Sequence, residues 1–391
     1  MPWPGRVDYR EAIQDTNSAF KGFMDLSKST VVVNDKGLPW LESGSSACVF
    51  KLIKSNQGPT VAVRCFLRKV EDQFERYTML KDYLKDRQIP FLVFFSYIPD
   101  CVIVNGARYP IIEMEWASGE CLDVFIKNNL NNPDLLTKLA QKWRKLVADI
   151  QKIDIAHGDL QHGNVIADDH GNLRLVDYDC MFIPEFIGRP SPEIGHPNYN
   201  HPLKSTEHYN KDIDNFAALV IYLSIKALSE NAELWKIYNI DDNLILSQDD
   251  YVKVINSDHS KCFEILAKST DPEVVKLTEI LKQCCSSNNT YVPSLEEILR
   301  QIQETPNKRQ RSVISDNYQD SGNRPKYIIG LSPDKKKCKH CGKEIRPAAS
   351  FCGNCGETIR SNVQFCGNCG EVRRPNARFC GNCGAIRVNA P

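Results

Sequence analysis

His157-Gly158-Asp159-Leu160-Gln161-His162-Gly163-Asn164, with Asp177-Tyr178-Asp179 beginning thirteen residues after Asn164, is the stretch on which the reading of this chain turns. Read as H-x-D-x-x-x-x-N followed by D-x-x, it supplies the polar groups that phosphoryl transfer needs. A carboxylate (Asp159) can accept the proton of a hydroxyl nucleophile, and an amide oxygen (Asn164) with a second carboxylate (Asp177) can hold a divalent metal at nucleotide phosphates. The flanks suit this. Val165-Ile166-Ala167 reads as a short apolar strand, His170-Gly171-Asn172 as a turn, and Leu173-Arg174-Leu175-Val176 as the returning strand that ends at Asp177. A hairpin of that kind brings Asn164 and Asp177 to one edge. The competing reading is a surface loop carrying unrelated carboxylates; the joint spacing of three polar residues on one hairpin argues against it.

Composition narrows the classes. The chain has 391 residues, enough for a core of roughly 250–300 residues plus a small module. It carries 49 basic and 49 acidic residues, so no general attraction to nucleic acid or membrane is expected. Apolar runs such as Phe91 to Tyr97 are strand-sized, short of the ~20 residues that cross a bilayer, and the first residues have no apolar secretory segment. Of sixteen cysteines, eight are scattered through the first 285 residues in mostly apolar surroundings and read as reduced core thiols. A cytoplasmic location is the expectation.

Outward from the hairpin, the chain divides by composition. Residues 1–37 read as an N-terminal extension with a helix around Tyr9 to Phe20. Residues 38–116 read as strand-rich, with strands at Thr60 to Phe66, Phe91 to Tyr97, Cys101 to Val104 and Tyr109 to Glu115 and one helix from Glu71 to Lys85; Asn105-Gly106 marks a hairpin. Residues 117–303 read as helix-rich, with helices at Leu135 to Ile153, Ile213 to Leu228, Glu273 to Cys284 and Ser294 to Gln303. Residues 304–337 are polar and basic and read as a linker to residues 338–391. His196, His201 and His208 lie close in sequence, but no cysteine or clustered carboxylate joins them, so hydrogen-bonding roles are expected for them.

Strands with one helix, a connecting segment, then helices around this hairpin: that order resembles the protein-kinase-like fold over residues 40–300. The resemblance implies an α+β, bilobal architecture and use of ATP with magnesium. Glu42-Ser43-Gly44-Ser45-Ser46-Ala47-Cys48-Val49 resembles the glycine-rich phosphate loop, with Val49 over adenine. Val61-Ala62-Val63-Arg64 resembles the strand that ends in the nucleotide-binding lysine, here arginine, for which Glu75 on the following helix is the expected partner. Met114-Glu115-Trp116-Ala117 resembles the hinge, with Ile166 as the floor of the adenine site and Ala62 above it. On this resemblance His157, Asp159, Asn164, Asp177 and Arg64 are the catalytic set. Gly44, Ser45, Val49, Ala62, Arg64, Glu75, Met114, Glu115, Ala117 and Ile166 contact the cofactor. Three departures stand out: arginine at 64, Asp179 where the family has a glycine, and the absence of the family's arginine that would pair with Glu193. Ser191-Pro192-Glu193 closes a segment too short for a phosphorylation-controlled loop. The HGDL form also resembles aminoglycoside and choline phosphotransferases, and the whole pattern is most similar to prokaryotic kinase-like proteins with C-terminal zinc ribbons. A protein Ser/Thr-directed phosphotransferase, a nucleotide-binding pseudokinase scaffold and a small-molecule kinase therefore stand as three readings. Arg64 and Asp179 favour the second, and Gly158 the third.

The tail has four CxxC knuckles fourteen residues apart: Cys338/Cys341, Cys352/Cys355, Cys366/Cys369 and Cys380/Cys383. Each pair is half of a tetrahedral zinc site, so eight ligands make two zinc ions. Pro-x-Ala-x-Phe occurs at Pro347 to Phe351 and again at Pro375 to Phe379, a 28-residue repeat that pairs knuckle one with two and three with four. Closed four-thiolate sites are structural. A protein is the expected partner, with nucleic acid second on the basic bias of Arg360, Arg373, Arg374, Arg378 and Arg387.

Overall fold

The computed structural model describes residues 3–312 apart from Ser45, Asn56, Gln57, Gln88, Asp241 and Asn288, with side chains through Glu304, and the backbone of residues 364–365 and 372–373. The chain divides into two units, Met1–Asp316 and Asn317–Pro391. The first is a mixed α+β unit: a sheet-rich N-terminal region followed by helices.

Three short helices, α1 (Arg6–Ile13), α2 (Thr16–Ala19) and α3 (Met24–Ser27), precede β1 (Thr30–Val31), β2 (Leu41–Ser43), β3 (Ala47–Ile53) and β4 (Thr60–Phe66); then come α4 (Gln73–Leu84), β5 (Phe95–Val104) and β6 (Ala107–Glu115). The strands form one antiparallel sheet in the order β1-β3-β4-β6-β5, with β2 also on β3. Side chains alternate across a sheet, so β4 has two faces. Val61, Val63 and Cys65 join Tyr9, Ile13, Phe20 and Leu26 in a core behind the sheet. Ala62, Arg64 and Phe66 belong to the opposite face. Residues 1–37, expected as an extension, are thus integral to the first unit. They bury Tyr9 and supply an edge strand, because a half-covered sheet must hide its second apolar face.

Two expected strands merge. Cys101 to Val104 continues the strand that starts at Phe95, through a register shift between Ile98 and Val102 where Asp100 has φ 48°. Phe91 to Val93 leaves the sheet instead, while the Phe94 carbonyl still accepts from Glu115 N–H of β6 at 2.9 Å. Leu92 bridges to Leu175 in parallel, and Val93 N–H donates to the Tyr178 hydroxyl at 2.8 Å. That segment buries Phe91 and Val93 against the hairpin that bears Asp177.

The helical region contains β7 (Glu120–Cys121), α5 (Leu122–Asn128), α6 (Pro133–Lys152), β8 (Val165–Ala167), β9 (Leu173–Leu175), α7 (Asn215–Glu230), α8 (Glu233–Tyr238), α9 (Gln248–Ile255), α10 (Lys261–Leu266), α11 (Pro272–Ser286) and α12 (Leu295–Ser312). Helix α6 opens on an Asn132 cap, whose side chain accepts from Leu135 N–H, with Pro133 at its first position. It buries Leu136, Leu139, Ala140, Trp143, Leu146, Val147 and Ile150 on one stripe. Helix α7 is buried around its whole circumference from Asn215 to Ile225, and Trp143 donates to its Ala218 carbonyl at 3.0 Å. Helix α12 passes the expected end at Gln303 and runs to Ser312, into the stretch read as linker. In the second unit β10 (Gln364–Phe365) pairs antiparallel with β11 (Val372–Arg373), and the six residues between them include Cys366 and Cys369. The knuckle cysteines themselves lie outside the described residues. Among the described residues no helix is long and apolar enough to cross a membrane.

Candidate active site

The hairpin forms as its turn chemistry implies. Strands β8 and β9 pair Val165↔Leu175, Ile166↔Arg174 and Ala167↔Leu173. The Asp168 carboxylate closes the turn by accepting from His170 N–H at 2.9 Å and Asn172 N–H at 2.8 Å. One step beyond the last pair, Val176 N–H donates to the Asn164 carbonyl at 3.0 Å. Asn164 and Asp177 are therefore brought to the same end of the hairpin.

The loop before it is held from below by Asp214 at the start of α7. Its carboxylate accepts from His157 N–H and, at 2.9 Å, from Gly158 N–H. Burial raises the Asp214 carboxyl, while the neighbouring His157 and Lys204 oppose the rise. Gly158 has φ +81°, and a Cβ there would stand 2.0 Å from the Cys180 carbonyl oxygen, so the position admits only glycine. His157 was expected in the catalytic set. It is fully buried, and its Nε2 contacts the Val176 carbonyl at 2.9 Å. A ring enclosed in this way fixes the backbone that carries Asp177 and does not meet a substrate. Its Nδ1 has no hydrogen-bond partner among the described residues.

Asp159 is gripped by three N–H groups. Oδ1 accepts from His196 N–H at 2.7 Å, and Oδ2 from Asn164 Nδ2 at 3.1 Å and Gln161 Nε2 at 3.2 Å. A carboxylate has about four acceptor positions, so one remains for an incoming hydroxyl. Asn164 Nδ2 also donates to the Asp159 carbonyl at 2.8 Å. Its amide nitrogen is thus committed to Asp159, and the Oδ1 atom accepts no hydrogen bond among the described residues. Gly195 (φ +87°) lets the backbone come this close: a Cβ there would lie 2.7 Å from Asp159 Oδ1.

Asp177 adopts φ 64°, in the left-handed region. Its side chain stays 40% exposed, but protein encloses it at longer range. That enclosure raises its carboxyl, with the Arg64 charge working against the rise. Arg64 is 4% exposed and grips two acids. Nη1 donates to Asp179 Oδ1 at 2.7 Å, Nη2 meets Asp179 Oδ2 at 2.7 Å, and Nη2 lies 3.2 Å from Asp177. Tyr77 O–H donates to Asp179 Oδ1 at 2.5 Å. Burial alone would raise the Asp179 carboxyl; Arg64 and Tyr77 overcome it and hold the group below its usual range.

The expected Arg64–Glu75 pair is not formed. Gln73, Arg76, Tyr77 and Leu80 make the buried stripe of α4, which turns Glu75 outward to an ion pair with Arg189 at 2.6 Å. Glu193, expected to lack a partner, meets Arg68 from the segment after β4.

Among the residues expected around a nucleotide, the register sets Val49 opposite Arg64 and Ala62 opposite Met114, so these four share a sheet face. The Gly44 carbonyl accepts from Arg6 Nη2 at 2.7 Å, and Ser45 lies outside the described residues. Glu115 was expected to contact the cofactor. Its carboxylate is taken by a two-point pair with Arg174, at 2.6 and 2.9 Å, and its N–H donates to the Phe94 carbonyl at 2.9 Å, so only its backbone carbonyl remains available. Since Arg174 pairs with Ile166, this contact draws the end of β6 to the strand carrying Ile166. Both Ala117 and Ile166 are half-buried.

Residues that sequence reading missed cluster around His196. Its Nε2 lies 3.0 Å from Asp242, which also sits 3.2 Å from His162 Nε2, while His162 Nδ1 contacts the Tyr199 hydroxyl at 2.6 Å. Lys204 donates to the Gly158 carbonyl at 3.1 Å and to Asn200 Oδ1 at 2.7 Å. Burial pushes the Lys204 ammonium down, against Asp214 and Asp159. Nothing in the sequence from Gly195 to Pro202 disclosed a hold on Asp159. His201 and His208 bond to the Cys284 carbonyl and to Ser205. Among the described residues no group of three or more His, Cys, Asp or Glu is placed to hold a metal. Asn164 with Asp177 is a two-ligand set of the kind that suits magnesium shared with phosphates.

Residues 338–384 match the double zinc ribbon family, a span that takes in all eight knuckle cysteines and supports zinc binding. No curated protein matches the chain.

Proposed function

We propose that the first unit is a protein-kinase-like phosphotransferase that moves the terminal phosphoryl group of ATP to a protein serine or threonine hydroxyl. The order of sheet, hairpin and helices supports the fold. The observation that carries the activity is the meeting, at one hairpin end, of Asp159 with one acceptor position left, Asn164 with its Oδ1 unbonded among the described residues, and the part-exposed carboxylate of Asp177. Asn164 and Asp177 would hold magnesium, which when bound neutralises charge on the phosphate oxygens. Arg64 orients the α- and β-phosphates. Asp159 takes the hydroxyl proton as the acceptor oxygen bonds to phosphorus. The bond from phosphorus to its bridging oxygen breaks, and that electron pair leaves with ADP.

A second reading, a nucleotide-binding scaffold without transfer, draws support from the Arg64–Asp177 contact, since the guanidinium competes with a metal ion for that carboxylate. Gly158 answers to packing beneath Cys180, so it lends nothing to a small-molecule acceptor. Transfer of labelled γ-phosphate separates these readings. The unaltered chain should label polypeptide, and Asp159→Ala and Asp177→Ala should lose at least ~100-fold. Equal incorporation by all three refutes the catalytic assignment; binding without transfer selects the scaffold, and labelled metabolites without labelled protein select a small-molecule kinase.

The tail in this proposal holds two structural zinc ions, one on Cys338, Cys341, Cys352 and Cys355 and one on Cys366, Cys369, Cys380 and Cys383, and contacts a protein partner.

A further inference from the structure

We infer that Asp179, backed by Tyr77, is the positioning residue for Arg64, and that Glu75 takes no part. This rests on the phosphotransferase reading above. A guanidinium that is 4% exposed needs an anion beside it, and two described acids reach Arg64. Asp177 lies at 3.2 Å and shares a single nitrogen, whereas Asp179 takes the fork through two contacts of 2.7 Å. Paired contacts fix the plane of the guanidinium as well as its position. If a metal ion claims Asp177, Arg64 remains oriented by Asp179.

Tyr77 completes the device. Its hydroxyl reaches Asp179 Oδ1 at 2.5 Å and sets the rotation of the carboxylate from α4. Helix α4 therefore touches the site through a neutral hydroxyl, and the charged partner comes from the strand end that also carries Asp177. One three-residue stretch, Asp177 to Asp179, sets both the metal-binding carboxylate and the orientation of the phosphate-binding cation. This accounts for two sequence departures at once. Arginine at 64 has the reach and the planar fork, and the residue at 179 has the carboxylate to receive it. Glu75 is excluded by helix geometry, because the inward stripe of α4 passes through Arg76 and Tyr77.

The test is calorimetric titration of the full chain with Mg·ATP and, separately, with adenosine, which lacks phosphates. Asp179→Asn should weaken Mg·ATP binding ~10–100-fold and leave adenosine affinity within twofold. Tyr77→Phe should weaken Mg·ATP about 3–10-fold, and Glu75→Gln should change neither ligand. A role confined to folding would lower both affinities together, and that result overturns the inference. So does normal Mg·ATP binding by Asp179→Asn, or a Glu75→Gln loss as large as that of Asp179→Asn. If Asp179→Asn does not fold, Tyr77→Phe decides, and an unchanged ratio of Mg·ATP to adenosine affinity overturns the proposal. Should the unaltered chain bind no Mg·ATP, the phosphotransferase reading itself fails, and this inference goes with it.

Discussion

Sixteen cysteines divide evenly between the two units and serve opposite chemistries. In the first unit all eight are free thiols, and all but Cys121 are buried. Burial pushes Cys48 and Cys101 up to about 12 and Cys121 up to about 11, so they keep their protons and act as small apolar side chains. In the zinc-ribbon tail the same residue must lose its proton to serve as a ligand. The difference teaches what holds each unit. Around α7 enough apolar surface is buried to support a core, whereas some fifty residues rich in Gly, Asn and Arg have few apolar side chains to build one from and depend on metal.

Metal removal should break this comparison most sharply. A strong chelator should strip about two zinc ions per chain and unfold the tail, whose metal supplies ~10 kcal/mol or more of folding free energy. The first unit should melt at the same temperature before and after. Atomic absorption and a two-transition thermal scan check this. A first-unit transition that drops with the zinc would mean the two units are not independently held.

Thiol labelling sharpens the comparison by a smaller factor. In the chelated protein, tail cysteines should react with a maleimide or disulfide probe at a rate that rises about tenfold per pH unit up to their ordinary value near ~8.5. Thiols whose folded value is pushed above their unfolded one stay protonated through this range. Cys48, Cys65 and Cys101 should therefore remain unlabelled to pH 9 until denaturant is added. Mass spectrometry of the peptides gives the count. Labelling of Cys48 in the native protein would show that the back of the sheet opens.

How much of this was legible in the sequence depends on how far each contact reaches along the chain. Helix α6 could be read because its seven inward positions repeat at helical spacing. The β8–β9 hairpin could be read because its turn residues and apolar strands lie within thirteen residues. The Arg64 network could not. Its partners sit 113 and 115 positions away, and the choice between Glu75 and Asp179 depends on which way α4 rolls against the sheet. The same holds for His196, whose backbone amide reaches Asp159 across 37 positions with no side-chain signature. Phe91 to Val93 was misplaced for a different reason. An apolar alternation shows that a stretch is buried on one side, but not whether its backbone pairs with the sheet or crosses to another element. Residues 1–37 were undervalued because a sheet with a second apolar face leaves no mark saying what will cover it.

That cover admits the finest test. Tyr9 is fully buried behind β4, and its hydroxyl donates to the Phe66 carbonyl at 2.9 Å; Trp3 donates to the same oxygen. Tyr9→Phe keeps the ring and deletes one hydrogen bond, while the carbonyl retains its second donor. The cost should be about 1 kcal/mol, because no buried acceptor is left bare. Trp3→Phe should cost a similar amount by itself. The double variant should exceed the sum of the two, since the Phe66 carbonyl would then be buried without a partner. Urea unfolding of the first-unit transition measures all three. Strict additivity would mean that Tyr9 and Trp3 do not act together on the Phe66 carbonyl as one polar anchor at the end of the strand that presents Arg64.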